Sequence, residues 1–528
     1  MTGEFGEFLN DFQPRVAKLE KGKHEAYFTA AVSGDTASYE KYSQLELEHT
    51  RLFSDPVTFR FLEEAKKELA GDLSPEGKLL HRQAEILYLN FKAHQVPSEL
   101  QEEIIRLETW VEQRFSVFRA PMGKDRLSDN QIEDILETET DDTRLRKAWE
   151  ASKEIGHLVE EDIRRLVGLR NESARLLGYP HYHHMSLDLS EQSPAETDRI
   201  FEELDRLTRE PFARIKTEID KKLATRLNIA EHKLRPWHYQ DRFFQEVPPA
   251  AVSDADPWYR DQDLVAICRR YFEKTGLPVD DLLSQSDLYE KEGKNQHAFC
   301  INIDRGSDIR VLSNVKPSRK WMNTLLHEFG HAVYEKFLGD DLPWFLREPA
   351  HIFTTEAVAM YFGRLSSDAG WMCQMGILSE DQARDLQQPL KQAQRNAQLV
   401  FSRWAQLMYR FEQSLYAHPD QDLNALWWRL AQKYQRLAPP DDMLTPHWAS
   451  KIHIATAPCY YHNYLLGELL ASQLGESLLP GEQTGKFLRE KVFAPGARLH
   501  WSRMISQACG SGLSARAYAR DFAGAESP

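Results

Sequence analysis

The sequence lacks features that mark several classes of protein. Its 66 basic residues are outnumbered by 81 acidic ones, and the formal net charge of -15 excludes a general nucleic-acid binder. Only 26 of the 528 residues are glycine, which favours helices over turn-rich β structure. No apolar run approaches the roughly 18 residues that a membrane-spanning helix needs. We therefore expect a mainly α-helical chain that binds neither nucleic acid nor a membrane.

Cysteine usage and the N-terminus bear on the compartment. The five cysteines are an odd number, lie far apart and form no C-x-x-C pair. The first residues are acidic, without the basic segment and apolar run of a signal peptide. We expect reduced thiols, a cytoplasmic location and a monomer. A hydrophobic share of 41% over this length is enough for a large core.

Helical periodicity dominates the chain, and strand signals are sparse. Ser193 to Glu196 form a capping box that opens a long helix, and Pro211 inside that helix is expected to kink or split it. Two short β-prone runs, 298–303 and 309–315, are joined by a polar pentapeptide and predict a hairpin.

The most informative segment follows this hairpin. Residues 327–331 read His-Glu-Phe-Gly-His, an H-E-x-x-H motif. On a helix, positions four apart share one face, so His327 and His331 can bind one zinc ion. Glu328 lies about 100° round the helix, where it can act as a general base on a water molecule. Ser318 is a suitable N-cap for such a helix, and Gly339 a suitable end.

A catalytic zinc ion needs a third protein ligand and an open position. Glu356 lies 25 residues after His331 in a stretch of helical character, and we favour it. Glu335 and Glu348 are the competitors. Glu335 shares a helix with both histidines and would strain a common site, whereas Glu348 precedes a proline in a loop.

The segment from His327 to Glu356 resembles the gluzincin peptidases of the angiotensin-converting-enzyme type, and less closely those of the thimet oligopeptidase type. Good correspondence runs from about residue 297 to 523. Further motifs that look like the family's are His297-Ala298, Trp427-Trp428-Arg429-Leu430, Lys433-Tyr434-Gln435, Pro439-Pro440, Lys451-Ile452-His453 and Tyr461-His462-Asn463-Tyr464.

The resemblance implies further roles for these residues. His297 and Ala298 would lie on the first strand of the hairpin and pair with the substrate backbone. His453 and Tyr464 would face the scissile carbonyl, where a ring N–H and a hydroxyl can stabilise an oxyanion. A third group would hold the C-terminal carboxylate of the substrate by charge-assisted contacts; it comprises Lys451, Tyr461 and, by a looser match, Gln240.

The resemblance also implies the architecture. We expect a two-lobed, mainly α-helical ellipsoid with a deep central cleft and a small β-sheet beside the zinc-binding helix. The whole chain, 1–528, would be one catalytic unit, with a mostly helical lobe or lid region at 1–250 and the zinc and substrate-binding region at 251–528. The family often has an Asp four residues after the third ligand, but Met360 stands there in this chain.

The function we expect is hydrolysis of short peptides by zinc-activated water, with release of dipeptides from the C-terminus. A metallocarboxypeptidase or an oligoendopeptidase is an alternative within the same class, and the stretch from His331 to Glu335 resembles Taq-type metallocarboxypeptidases. Two alternatives lie outside it: a zinc amidohydrolase that acts on a small modified metabolite, and a non-catalytic peptide-binding relative.

Overall fold

The computed structural model describes residues 2–249, 256–479 and 481–524. Helices hold 71% of the chain and strands 3%, which confirms the mainly α-helical prediction. None of the described helices combines the length and the apolar character that crossing a membrane requires.

The α-helices are numbered in chain order, with short 3-10 and π-helical turns between several of them. They are α1 (Thr2–Ser33), α2 (Thr36–Phe53), α3 (Pro56–Leu69), α4 (Pro75–Ala93), α5 (Ser98–Val117), α6 (Asp129–Thr138), α7 (Asp142–Leu176), α8 (Tyr182–Leu189), α9 (Pro194–Leu227), α10 (Leu264–Lys274), α11 (Asp280–Gln285), α12 (Arg319–Lys336), α13 (Ile352–Arg364), α14 (Ala369–Gln374), α15 (Glu380–Ala417), α16 (Leu423–Leu430), α17 (His453–Thr456), α18 (His462–Gly475), α19 (Glu482–Leu488), α20 (Trp501–Cys509) and α21 (Arg516–Tyr518).

The chain divides into two compact units, each built from separate stretches of sequence. The first unit comprises 1–95, 255–387 and 466–514, and the second comprises 96–254, 388–465 and 515–528. The predicted boundary between residues 250 and 251 lies outside the described residues and stays a prediction.

Each unit has its own apolar core. In the first unit, an aromatic cluster that includes Phe12, Phe53, Phe91 and Phe345 joins the N-terminal helices to the segment after α12. In the second unit, a larger core contains Trp149, Trp404, Trp427 and Trp448 together with many aliphatic side chains. Burial of these aromatic side chains stabilises each unit.

The hairpin forms as predicted and is short. Strands β3 (Phe299–Asn302) and β4 (Ile309–Leu312) pair antiparallel, with Phe299 opposite Leu312. A second two-stranded sheet, not predicted, consists of β1 (Ala120–Met122) and β2 (Asp125–Leu127). Ala298 directly precedes β3, so the expectation that His297 and Ala298 lie on the strand itself is wrong.

The long helix α9 corrects one local expectation. It begins after Ser193, whose side chain accepts a hydrogen bond from the Glu196 N–H, as the capping box predicts. It then continues through Pro211 as one helix to Leu227, so of the two expected outcomes the split is wrong and the kink stays a prediction. Pro211, Phe212 and Ile215 are buried, and packing of this face outweighs the local cost of the proline.

Candidate metal centre

Helix α12 carries the H-E-x-x-H motif, as the spacing predicts. The Ser318 side chain caps the helix by accepting a hydrogen bond from the Trp321 N–H. One face of α12 presents both histidines, with Nε2 of His327 and Nε2 of His331 3.2 Å apart. The helix ends at Lys336, before the predicted stop at Gly339.

Helix α13 brings the third candidate ligand to the same point. Oε2 of Glu356 lies 3.6 Å from Nε2 of His327 and 3.9 Å from Nε2 of His331. Gly330 makes this approach possible, because a Cβ at that position would lie 2.7 Å from the Cα of Ala359 on α13. The fourth residue of the motif is therefore small for a reason of packing between the two helices.

The donor set fits a zinc ion. One ligand atom from each of His327, His331 and Glu356 lies within 4.8 Å of the others, a His-His-Glu arrangement that suits zinc with an open position. Oε2 of Glu356 is buried and has no hydrogen-bond partner among the described residues. Because an unpaired buried carboxylate oxygen is costly, a cation at this point would supply the missing interaction.

Burial also keeps the two imidazole rings in their neutral form. It lowers the pKa of His327 to about 4, and it lowers the pKa of His331 well below its ordinary value. Both rings are therefore neutral near pH 7, which is the form that binds a metal. Burial, followed by repulsion from Glu468, raises the pKa of Glu356 to about 7. A bound divalent cation favours the ionised carboxylate.

The competing carboxylates have other partners. The Glu335 side chain accepts a hydrogen bond from Nδ2 of Asn302 at 3.0 Å, and Oε1 of Glu348 lies 2.6 Å from Nη2 of Arg305. Of the three acidic candidates, only Glu356 belongs to the metal-binding group found among the described residues.

The sequence did not predict two contacts of α13, one of which holds a ligand. Nδ1 of His331 lies 2.7 Å from Oγ1 of Thr355, which fixes the orientation of the ring. Arg364, at the end of α13, forms an ion pair with Glu468 and a 3.0 Å hydrogen bond to Ser472. The sequence offered one signal for Thr355, its position directly before Glu356, but no spacing rule uses it.

Glu328 lies beside the ligands and is 8% exposed. Burial, and then the charge of Glu356, raise its pKa to about 8 against the opposing effect of a hydrogen bond from the Cys300 backbone N–H. This hydrogen bond connects the helix to the edge of β3 that does not pair with β4. The candidate base is thus held next to the free edge of the hairpin.

The second unit brings together four further residues that the resemblance selected. The Tyr461 ring contacts the His453 ring at 5.4 Å and the Tyr464 ring at 5.4 Å, and Nζ of Lys451 lies 5.6 Å from its centre. We call Lys451, His453, Tyr461 and Tyr464 the Lys451 cluster. Burial, and then the charge of Lys451, lower the pKa of His453 to about 4, so its ring is neutral.

Lys451 is a buried cation held by a side-chain amide and aromatic rings. It is 8% exposed, and its Nζ donates to Oε1 of Gln245 at 2.8 Å. It also lies over the rings of Phe243 and Trp404, at 5.3 and 5.2 Å from their centres. Sequence reasoning missed Gln245, since nothing in its spacing connects it with Lys451.

Gln240 lies elsewhere in the second unit. Its side-chain amide donates to the backbone carbonyl of Glu137, and its backbone has a positive φ of 58°. Its assignment to the substrate carboxylate stays a prediction, while Gln245 is the glutamine that contacts Lys451.

The fold and the metal centre indicate the class of protein to which the chain belongs. A helix that presents two histidines and a base, with a glutamate from the next helix as the third ligand, is the arrangement of a metal-dependent hydrolase. The comparison with known families is more specific: the model of peptidase family M3 matches residues 285–524, a little under half of the chain. The matched segment contains the whole metal centre. The match supports a zinc metallopeptidase of the gluzincin kind, and with the His-His-Glu group it identifies zinc as the cofactor.

Proposed function

We propose that the chain is a zinc peptidyl-dipeptidase, which shortens oligopeptides by releasing dipeptides from the C-terminus. The observation that carries the metallopeptidase part is the buried, unpartnered Oε2 of Glu356 facing two neutral imidazoles. The buried Lys451 supports the C-terminal part, because a free carboxylate is the natural partner of such a cation.

In this proposal His327, His331 and Glu356 hold the zinc ion. When bound, zinc supplies a Lewis acid that polarises the peptide carbonyl and makes water a better nucleophile near neutral pH. Glu328 takes a proton from the attacking water and passes it to the leaving amine. Its burial makes the carboxylate a stronger base than an exposed glutamate, which suits this transfer.

The free edge of β3 aligns the peptide. On an extended chain, the backbone N–H and C=O groups of residues two apart point in the same direction. The backbone groups of Ala298 would therefore point to the edge on which the Cys300 N–H contacts Glu328. A substrate that adds to this edge as an extra strand would present its carbonyls beside the base. We also retain His297, directly before Ala298, as a candidate for contact with the substrate through its side chain.

His453 and Tyr464 stabilise the developing oxyanion. A tetrahedral intermediate needs hydrogen-bond donors aimed at its oxygen, and both a neutral imidazole and a phenol can donate. Nδ1 of His453 is buried without a hydrogen-bond partner among the described residues, which leaves this ring available for a substrate. Its contact with Tyr461 fixes the ring next to Tyr464.

Lys451 holds the C-terminal carboxylate, and Gln245 and Tyr461 complete this subsite. Gln245 donates through its amide nitrogen while its oxygen accepts from Lys451, so one side chain both orients the cation and contacts the substrate. We also retain Gln240 as a second, looser candidate. The five free cysteines are consistent with the proposed cytoplasmic location, and we propose a monomer.

The function is tested by incubating the enzyme with a mixture of synthetic peptides of five to twelve residues and identifying the products by mass spectrometry. We expect C-terminal dipeptides, their loss in a chelator and their return on adding zinc. Single C-terminal residues would indicate a metallocarboxypeptidase, and internal fragments an oligoendopeptidase.

A matched set of C-terminally amidated peptides tests the carboxylate subsite. We expect amidation to slow cleavage strongly, whereas equal rates would contradict the role of Lys451. If no peptide is cleaved while zinc is bound, peptidase activity is contradicted, and the amidohydrolase and non-catalytic alternatives take its place.

A further inference from the structure

A cavity of about 680 Å³ lies in the first unit, outside the metal centre and the Lys451 cluster. It is bounded by the turn between α3 and α4, the first half of α4, and the segment from Arg498 into α20. None of its lining residues has a role in the proposed peptidase mechanism. The volume suits a small organic molecule.

Basic side chains outnumber acidic ones in this cavity. Four lining residues are lysine or arginine (Lys78, Arg82, Arg498 and Arg503), two are histidines, and only Asp72 and Glu85 are acidic. In a chain with a net charge of -15, this excess of positive charge is a local exception.

Both acidic side chains already have partners within the protein. Asp72 accepts a hydrogen bond from the Ser74 N–H at 3.0 Å and lies over the first turn of α4 at Gly77. Oε2 of Glu85 lies 3.3 Å from Nη1 of Arg82. The side chains of Lys78 and Arg503 remain, and both are exposed and make no hydrogen bond or ion pair within the described ranges.

Two arginines, Arg82 and Arg498, fix the wall of the cavity. Arg82 is 7% exposed, and its Nε donates to the Ala497 carbonyl at 2.9 Å, which ties α4 to the segment before α20. Arg498 binds Asp341 through Nη2 at 2.6 Å, while its buried Nε has no partner among the described residues. The lining also includes the apolar side chains of Leu73, Leu79 and Leu499.

We propose that this cavity binds a small organic polyphosphate, with its phosphates on Lys78 and Arg503 and its organic group against the three leucines. Guanidinium and ammonium groups are the side chains that bind phosphate oxygens by charge-assisted hydrogen bonds. The leucines favour a ligand with an apolar or aromatic part over phosphate alone.

The test is calorimetric titration of the zinc-loaded full chain with ATP, inorganic tripolyphosphate and adenosine as probes. We expect saturable one-to-one binding of ATP, weaker binding of tripolyphosphate and none of adenosine. Lys78→Glu/Arg503→Glu should weaken ATP binding at least tenfold. Lys274→Glu/Lys486→Glu makes the same charge change at two exposed positions outside the cavity and should leave binding unchanged.

Three results of these titrations would overturn the proposal: no saturation with ATP, equal weakening by the control pair, or equal affinity for ATP and tripolyphosphate. Because polyphosphates also bind zinc, the titration is repeated on His327→Ala/His331→Ala. Binding that disappears in this variant would belong to the metal centre and would equally overturn the assignment. All four charge-reversal positions are exposed, so circular dichroism should show unchanged folding.

Discussion

The metal centre and the Lys451 cluster differ in the kind of charged group that burial affects: carboxyl groups in the metal centre and a lysine in the Lys451 cluster. In the metal centre, burial raises the pKa of two carboxyl groups, Glu328 and Glu356, and lowers the pKa of the histidines beside them. In the Lys451 cluster, burial lowers the pKa of a lysine to about 8. A desolvated group favours a partner that restores its charged form, so the first region calls for a cation and the second for an anion.

In the proposed mechanism, this contrast gives the metal centre and Lys451 different roles. A site that attracts a metal cation and holds a buried base is equipped for the reaction itself. A buried lysine surrounded by aromatic rings and one amide is equipped to hold the end of a peptide. Substitutions in the first region should therefore reduce turnover, and those at Lys451 should reduce affinity.

The largest effect is expected from removal of a metal ligand. Glu356→Gln keeps the size of the side chain but removes its charge, so zinc content measured by atomic absorption should fall. Loss of the Lewis acid should lower kcat/KM by about 10³-fold or more. Glu348→Gln is the matched control, because Glu348 pairs with Arg305 and not with the histidines. Full zinc content in Glu356→Gln would contradict its role as a ligand.

The next effect tests whether the Lys451 cluster also takes part in the reaction. Tyr464→Phe removes one proposed oxyanion donor and should lower kcat by about 10²–10³-fold, with little change in KM. The ring of Tyr460 contacts the ring of Tyr464 at 5.2 Å, so Tyr460→Phe is the control: it removes a hydroxyl next to Tyr464 but leaves Tyr464 intact. A change confined to KM would move Tyr464 from the reaction to substrate binding.

The pH dependence of affinity tests Lys451 alone. Burial lowers its pKa to about 8, with the charge of Asp241 opposing this, so the ammonium is charged below that pH and neutral above it. For peptides with a free C-terminus, KM should rise as the pH passes about 8, while amidated peptides should show no such rise. Lys451→Met should raise KM at pH 7 about tenfold or more. It should also abolish the rise in KM at higher pH. Lys433→Met, at an exposed position, is the control.

The smallest effect is on stability. Gly330→Ala places a methyl group 2.7 Å from the Cα of Ala359 and should destabilise the chain by about 1–3 kcal/mol. Gly168→Ala, in α7, meets no atom within 4 Å and should stabilise by about 0.5–1 kcal/mol, since alanine is the better helix former. Both are measured by urea denaturation. Equal effects would contradict the close packing of α12 on α13.

The metal centre was the more predictable region because its parts are local. His327, Glu328 and His331 lie within five residues of one helix, and Glu356 lies on the next helix, so periodicity and spacing sufficed. The hairpin at Phe299–Leu312 was readable from β-prone residues on either side of a polar turn. Thr355 escaped prediction because its role depends on the ring orientation of His331, which spacing does not encode.

The Lys451 cluster was not readable from spacing. Its tyrosines look like an ordinary buried helix face, and only the family resemblance selected His453 and Tyr464. Gln245 lies more than 200 residues from Lys451 in the chain, so their contact follows from tertiary packing alone. Helix α9 continues through Pro211 for a related reason, since burial of the face around the proline outweighs the local rule that predicted a split.

The central claim is that Glu328 is the general base of a zinc peptidase. Zinc content and turnover of Glu328→Gln, measured on one preparation, test it most directly. We expect one zinc ion per chain, as in the unsubstituted protein, and kcat lower by about 10²–10⁴-fold or more. Turnover within a few-fold of the unsubstituted enzyme, with zinc in place, would contradict it.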